Sequence, residues 1–557
     1  MAQQPIDRKK VVERNNPHVT TMDSLNSLSV GNGGFAMTVD GTGLQSFPKS
    51  YSLGVPLGTM SDWGWHSFAN PENYQPEESW RYYDFGRGRK EPYATQVKDN
   101  KRAKEAGDWY RVNPHRLHLG TLGLSLGADP KQIKQIDQIL NMWEGMIKSS
   151  FIYKGKAYQV ETTCDPVLDM IATHIQSKGT IAVDVRFAYP TGGHCDDACD
   201  WTKDKLHSTT LVAQTSNSAV LKRIIDETVY FVMLRWQGAA KLKQKGKNFY
   251  QLQAKSSDLK LTCEYAEQTS TANKTFAEVA DAAKAYWMGY WKKGGMADFS
   301  NCKDPRAKEM ERRVVLSQYL LAIQDAGDTP PQETGLTYNS WFGKFHLEMT
   351  WWHLAHYGLW NKPECMEKCF GWFLYAQKLA RQIAKRQGFN GIRWMKMTDP
   401  SGIEAPSNVG SYLIWQQPHF IYLAELLYRA AKSSAEREEL LKKYAGTVNA
   451  TALFMADFAE YDSIRDRYIL RGCIPAQETL KADSTINPPF ELSYWHTALQ
   501  MAEKWRQRSG IDDKGEWDSI INKLSLLAFN EDSLYLAAET AKNTYTCLLY
   551  TSDAADD

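Results

Sequence analysis

The spacing of apolar residues changes partway along the chain, and this change limits the folds that the sequence can adopt. Up to about residue 270 apolar and polar residues alternate, as between Arg116 and Leu126, which is typical of half-buried strands. Segment 151–160 predicts a hairpin that turns at Lys154-Gly155-Lys156. Because no helical pattern separates the strands, we expect residues 18–270 to form a large antiparallel β-sandwich.

Beyond about residue 275 the apolar residues recur at helical spacing. The first such pattern, 276–291, predicts a linker helix within residues 271–300. Long polar loops at 387–410 and 461–489 lie between later helical patterns, and such loops commonly carry function. We therefore expect residues 301–546 to form a helical toroid that is the catalytic domain. Its helices are predicted at 304–326, 346–360, 363–386, 411–432, 436–445, 447–460, 490–508, 516–528 and 531–541.

The charge balance excludes some classes of partner. The 557 residues include 66 Lys and Arg against 65 Asp and Glu, a net charge of +1, so nucleic acid is not expected as the main partner. No run approaches eighteen apolar residues, so no membrane-spanning segment is predicted. The 19 tryptophans are more than a chain of this length usually has, and they fit either a large core or a cleft that stacks sugar rings.

The cysteines indicate neither a disulfide scaffold nor a metal centre. Nine cysteines lie at irregular spacing along a long chain. The tightest cluster, 194–200, supplies one pair of ligands where structural zinc sites usually have two. We expect no metal and no cofactor.

Both chain ends differ from the sequence between them. Residues 1–17 form a tail in which Ala2-Gln3-Gln4 resembles the surroundings of a signal-peptidase cut, so we expect a periplasmic or secreted protein whose signal peptide is missing. Residues 547–557 follow a helical pattern without a cap and resemble the translation of a sequencing adapter. We expect them to be an artefact and the natural protein to be truncated near Thr546.

Four segments combine carboxylates with aromatic and amide side chains, the mixture that glycoside hydrolysis requires. Tryptophans could stack on sugar rings, while basic and amide groups could bind hydroxyls. Glu404 and Glu478 lie in loops without a capping role, which favours function; Glu348 could equally be a paired buried acid, and Glu491 could equally support a helix N-terminus. The candidate residues are Trp341, His346, Glu348, Arg393, Trp394, Lys396, Asp399, Glu404, Trp415, Gln416, Gln417, His419, Glu478, Asn487 and Glu491.

These residues, with the order sandwich, linker helix and toroid, resemble the six-hairpin glycosidases, especially glycoside hydrolase family 65 and its relatives. The phrases VGNGGFAMTVDGTGLQSF, WHSFANP, WQQPH and IPAQE are closest to a Bacteroidetes-type subgroup. The resemblance spans most of residues 18–546 and implies an (α/α)6 toroid.

The resemblance also implies residue roles. The family's Gly-Pro-Asp-Glu loop matches Ile474 to Glu478, so Glu478 would be the catalytic acid, with Glu404 as the reserve acid or a sugar ligand. The later Asn-Asn-Ala-Tyr segment matches 487–490. The sugar-holding Trp-Asp-Thr-Glu segment matches 345–348, where His346 replaces the aspartate, so the family's usual α-glucoside is not implied.

The sequence therefore predicts an inverting, exo-acting glycoside hydrolase whose partner is an oligosaccharide or polysaccharide. The alternatives are a phosphorylase of the same fold, a polysaccharide lyase and a carbohydrate-binding protein without turnover. The general base is expected from the last hairpins, beyond Thr546, so the chain as it stands is expected to be inactive. The sequence predicts neither the sugar, the linkage nor the oligomeric state.

Overall fold

The computed structural model describes residues 5–127, 129–476, 480–511 and 515–541. The chain divides into two compact units, each assembled from separate stretches of sequence. The first, called here the β unit, contains Met1–Ala69, Asn113–Gly343 and Trp360–Lys368. The second, the helical unit, contains Asn70–Val112, Lys344–Leu359 and Cys369–Asp557.

The β unit is built on a nine-stranded antiparallel sheet, which confirms the β-rich N-terminal part expected from the alternating pattern. Apolar side chains on alternate positions of its strands form much of the core. In spatial order the strands are His18–Val19, Ile133–Asn141, Met146–Tyr153, Lys156–Cys164, Met170–Ser177, Asp258–Ala266, Thr228–Gln237, Ser218–Ile225 and His207–Gln214.

Smaller sheets complete the β unit. A four-stranded sheet has the order Ala240–Gly246, Phe249–Ala254, Ala182–Arg186 and Thr121–Leu124. A three-stranded sheet has the order Leu28–Gly31, Phe35–Val39 and Thr59–Ser61, and Trp65–His66 pairs with His115–Arg116.

The hairpin expected at Lys154-Gly155 is confirmed. Tyr153 pairs with Lys156, so two residues connect the strands. Lys154 and Gly155 have φ values of 47° and 71°, the left-handed conformation that a two-residue turn of this kind requires at both positions.

The helices of the β unit include the expected linker helix, Phe276–Lys292. It begins with a capping box in which Thr275 accepts from the Glu278 N–H. Its Phe276 and Val279 pack against Met146 and neighbouring apolar residues of the nine-stranded sheet. The helices of this unit are Arg8–Arg14, Pro48–Tyr51, Phe276–Lys292, Ala307–Gln324 and Pro363–Glu367.

The helical unit contains most of the later helices, which confirms the helical C-terminal part. Two patterns predicted at 436–445 and 447–460 form one helix, because no residue between them breaks it. The prediction of a helix at 531–541 is wrong. In that region isolated β-bridges join Phe529 to Tyr535 and Ala538 to Ala541. The helices are Lys101–Val112, Thr350–Leu359, Phe370–Arg386, His419–Ala430, Ser434–Phe458, Pro489–Arg508 and Asp518–Lys523.

Three short strand pairs accompany these helices in the helical unit. They are Trp80–Asp84 with Lys90–Ala94, Phe345–His346 with Met397–Thr398, and Glu460–Asp462 with Arg467–Ile469. Across the described residues, no helix is both long enough and apolar enough to span a membrane.

The two units differ from the continuous ranges expected, 18–270, 271–300 and 301–546. Asn70–Val112 belongs to the helical unit, where Arg111 donates to the Pro406 carbonyl and Arg87 to the Arg471 carbonyl. Helix Ala307–Gln324 belongs to the β unit, where the Tyr319 hydroxyl donates to the Ser29 carbonyl.

Candidate active site

Three helices of the helical unit begin close together, and they are called here the site helices: Thr350–Leu359, His419–Ala430 and Pro489–Arg508. The imidazole of His419 connects them. Its Nε2 lies 2.9 Å from the Glu348 carbonyl oxygen, and its Nδ1 lies 2.9 Å from the Tyr494 hydroxyl. Side chains at these three N-terminal ends therefore lie near one another.

His419 is held as a neutral imidazole. A carbonyl oxygen can only accept, so Nε2 carries the proton and Nδ1 accepts from Tyr494. Burial lowers the pKa of His419 to about 4, so it remains neutral at pH 7. It fixes the helix ends without adding a charge.

An ionised carboxylate lies just before the first site helix. His346 Nδ1 is 2.9 Å from Glu348 Oε1, and Lys396 Nζ is 3.6 Å from the same oxygen. All three side chains are buried. Burial raises the pKa of Glu348, but the charges of His346 and Lys396 outweigh it, and the net pKa lies below the usual value.

A short strand pair sets this geometry. Phe345 and His346 pair with Thr398 and Met397, and the Leu347 N–H donates to the Lys396 carbonyl at 2.7 Å. The strand pair thus brings two segments that are fifty residues apart in sequence to one place. Among the described residues Glu348 Oε2 is buried and has no hydrogen-bond partner, which leaves it as an unused acceptor.

A second buried carboxyl group, Glu491, has the opposite protonation state. It lies in the first turn of its site helix, is 1% exposed, and accepts from the Ala476 N–H at 2.7 Å. Burial raises its pKa to about 8, so it is protonated at neutral pH. Ala476 precedes Glu478 by two residues; Glu478 itself lies outside the described residues.

Partly exposed aromatic rings lie beside these groups. The Trp415 ring is half-buried, with its centroid 5.5 Å from that of His419 and 6.0 Å from that of Phe490. Phe490 is 53% exposed and also contacts Tyr494, at 6.1 Å. Flat apolar faces of this kind can stack on the apolar face of a sugar ring.

Sequence reasoning missed two members of this group, Phe490 and Tyr494, as candidate site residues. The available signal was helical spacing, since Tyr494 follows Glu491 by three residues and so lies on the same side of the helix.

Several sequence-predicted residues instead hold loops together through hydrogen bonds inside the protein. Gln417 accepts from the Trp394 N–H at 2.8 Å and donates to the Ile392 carbonyl at 2.6 Å. Gln416 donates to the carbonyls of Trp394 and Leu413. These amides anchor the loop before the second site helix to the loop that carries Lys396.

Arg393 and Trp394 are buried in the interior of the helical unit. Arg393 donates to Gln387 Oε1 at 2.5 Å and to the Ser411 carbonyl at 3.0 Å. The Trp394 indole donates to Thr451 Oγ1 and packs edge-on against Phe373. Arg393 and Trp394 therefore hold neighbouring segments of the helical unit together.

Asp399 and Asn487 also bond to the backbone. Asp399 Oδ1 accepts from the N–H groups of Ser401 and Ile403, which closes a tight turn. Asn487 accepts from the Leu470 N–H and donates to Glu539.

Two other candidates make different contacts. Glu404 forms an ion pair with Arg386. Trp341 belongs to the β unit, where it is buried with its ring centroid 4.0 Å from that of His194. In the described part of the chain, no group of three or more His, Cys, Asp or Glu side chains is arranged to hold a metal ion.

Comparisons with known proteins bear on the fold. No family model and no curated protein matches the sequence. This chain is similar to a solved structure described as "Putative kojibiose phosphorylase from human microbiome". The match covers 94% of this chain and 71% of that protein's chain, with 10% identity and a TM-score of 0.62. This likeness shows that the two chains share a fold.

A second solved structure, described as a Family GH92 inverting mannosidase from Bacteroides thetaiotaomicron, covers 97% of this chain and 68% of its own. Its identity to this chain is 9% and its TM-score is 0.40.

Proposed function

We propose that this protein is an inverting, exo-acting glycoside hydrolase that cleaves an oligosaccharide or polysaccharide. The observation that supports this most is the pair of buried carboxyl groups at the site helices, Glu348 ionised and Glu491 protonated at neutral pH. In the proposal neither is the catalytic acid or base: Glu348 binds the sugar, and Glu491 holds the segment that leads to Glu478. The fold shared with a protein described as a kojibiose phosphorylase supports a carbohydrate substrate.

In the proposed mechanism Glu478 protonates the leaving oxygen. Its position follows Ala476, whose N–H is held by Glu491, so Glu491 is proposed to fix the start of the segment that carries the acid. In the same displacement, water attacks from the opposite face of the sugar and gives its proton to a second carboxylate, the general base.

The ionised Glu348 is proposed to bind the sugar. Its Oε2 accepts from ring hydroxyls while His346 and Lys396 hold Oε1. Trp415 and Phe490 provide the apolar surface against which the ring lies. The exo mode of attack is proposed from the sequence resemblance.

The test of residue roles compares three glutamine variants in a preparation of the protein that hydrolyses a glycoside. Glu478→Gln is expected to lower kcat by about 10³-fold or more, because an amide cannot protonate the leaving oxygen. Glu404→Gln is expected to raise KM more than it lowers kcat. The control is Glu438→Gln, at an exposed position on helix Ser434–Phe458, with unchanged kinetics. An inactive Glu404→Gln with a nearly normal Glu478→Gln would reverse the two roles.

Stereochemistry tests the inverting mechanism. Inverting enzymes hold their two carboxyl groups roughly 6.5–9.5 Å apart so that water fits between base and sugar. Proton NMR of the earliest product should show the anomer opposite to that of the substrate. A retained anomer would rule the mechanism out.

A phosphorylase is the second candidate, favoured by the description of the protein that shares the fold. The two activities differ in the nucleophile. A hydrolase releases free sugar whether or not inorganic phosphate is present, whereas a phosphorylase forms a sugar phosphate and depends on it.

A further inference from the structure

A separate cavity of about 270 Å³ lies in the helical unit, between Asn70–Val112, helix Phe370–Arg386 and the segment around Glu404. Trp80, Tyr110, Arg386 and Glu404 line it, whereas Glu348, His419 and Glu491 do not.

Two buried polar groups in this cavity have unused hydrogen-bonding capacity. Arg386 Nη2 pairs with Glu404 Oε1. Among the described residues, Arg386 Nε and Glu404 Oε2 have no hydrogen-bond partner, although Glu404 is only 6% exposed. A buried polar atom left without a hydrogen bond is unfavourable, so a ligand that satisfies both atoms is favoured.

The chemistry of the pair selects the ligand class. Oε2 can only accept and Nε–H can only donate, so the complement is a group with one donor and one acceptor side by side, such as two adjacent hydroxyls. The ion pair is neutral overall, and Glu77 at the exposed edge disfavours anions.

Aromatic surface completes the cavity. The Arg386 guanidinium carbon lies 4.3 Å from the Trp80 ring centroid, which holds the cation in place. The Tyr110 hydroxyl donates to the Tyr74 carbonyl, which fixes that side chain. The lining thus joins apolar ring surface to a donor–acceptor pair.

We propose that this cavity is a second carbohydrate-binding site that takes a neutral sugar ring through two adjacent hydroxyls, apart from the site helices. The proposal shares only the ligand class with the proposed function and does not require catalysis. Glu404 is then a binding residue of this second site.

The test is an NMR titration of the whole chain with methyl α-D-glucopyranoside and methyl α-D-mannopyranoside. Gln382→Trp places a large side chain at the exposed edge of the cavity and is expected to weaken binding at least tenfold. The matched control is Lys378→Trp, one turn earlier on the same helix, exposed and outside the lining, with unchanged binding. Equal unfolding midpoints of the two variants exclude a folding defect.

Two further titrations separate this site from the proposed active site. Trp415→Ala, at the site helices, is expected to leave the measured binding in place. D-glucuronate, which is an anion, is expected to bind at least tenfold more weakly than the neutral glycosides. Absence of binding by both neutral glycosides, binding unaffected by Gln382→Trp, loss of binding in Trp415→Ala, or preference for D-glucuronate would each overturn the proposal.

Discussion

Glu491 is the residue whose chemistry depends most on its surroundings. Its carboxyl group keeps a proton in the folded protein up to about pH 8, whereas an unfolded chain releases it near the ordinary value of 4.5. The folded state therefore holds a proton that the unfolded state lacks, and the stability from this group is lost as pH rises from about 4.5 through 8.

Replacing Glu491 with Gln keeps the size of the side chain and the acceptor for the Ala476 N–H but removes the proton. We expect the variant to gain stability relative to the parent as pH rises, by up to about 1.4 kcal/mol per pH unit between 4.5 and 8. Urea denaturation at pH 5 and pH 8 measures this. Glu438→Gln, on an exposed helix face, should show no such trend. A stability difference independent of pH would mean that Glu491 is ionised.

Residue types alone did not separate ligand-binding from structural roles. Amide and guanidinium groups beside tryptophans suit sugars, which makes Gln417 and Arg393 candidates, yet both bond to loop atoms. A polar side chain that holds a backbone carbonyl has the same sequence signature as one that holds a hydroxyl. In the structure His346 and Glu348 lie side by side and His419 contacts the Glu348 carbonyl, an arrangement that residue types alone do not specify.

At the scale of elements, the Tyr494–His419 hydrogen bond joins two site helices. Tyr494→Phe removes the donor and leaves His419 Nδ1 buried without its partner. We expect a loss of about 1–2 kcal/mol in the free energy of unfolding, measured with urea. Tyr375→Phe, at a position 67% exposed, should change it by less than about 0.5 kcal/mol. A loss no larger than that of the control would show that the bond does not support the helix ends.

The capping box at Thr275 offers a test within the β unit. Thr275→Ala removes the oxygen that accepts from the Glu278 N–H and should reduce stability by about 1 kcal/mol. Thr271→Ala, four residues earlier at an exposed position outside the helix, is the control and should have little effect. Equal midpoints for the two variants would show that the cap contributes nothing.

Sequence periodicity predicted elements better than their assembly. The hairpin at Lys154-Gly155 and helix Phe276–Lys292 follow from local patterns. The assignment of Asn70–Val112 to the helical unit depends on partners such as Pro406 and Arg471, which lie 295 and 384 residues from the side chains that contact them. No local pattern encodes those contacts, so the boundaries drawn from periodicity differ from the compact units.

For the molecule as a whole, buried ionisable groups set how stability depends on pH. Burial raises the pKa of Asp62 to about 7 and that of Asp325 well above its ordinary value, and Glu491 adds to them. Each keeps a proton that the unfolded chain releases, so each lowers stability as pH rises. Four buried histidines have a lowered pKa and raise stability as pH rises, because the unfolded imidazole binds a proton that the folded one lacks. This effect is confined to pH values below about 6.5. The four are His66, His118, His207 and His419.

Between pH 6.5 and 7.5 the histidines therefore contribute little, and the buried acids contribute most to the change of stability with pH. Lys362, whose pKa burial lowers to about 7, and Lys344, lowered to about 8, oppose them, because an unfolded lysine stays protonated there. At pH 6.5 both lysines are still mostly protonated in the folded protein, while Asp62, Asp325 and Glu491 already hold excess protons, so the acids dominate. We expect urea midpoints at constant ionic strength to fall from pH 6.5 to 7.5, and Asp62→Asn to make the fall shallower. Midpoints that rise over this interval would show that these acids are ionised in the folded protein.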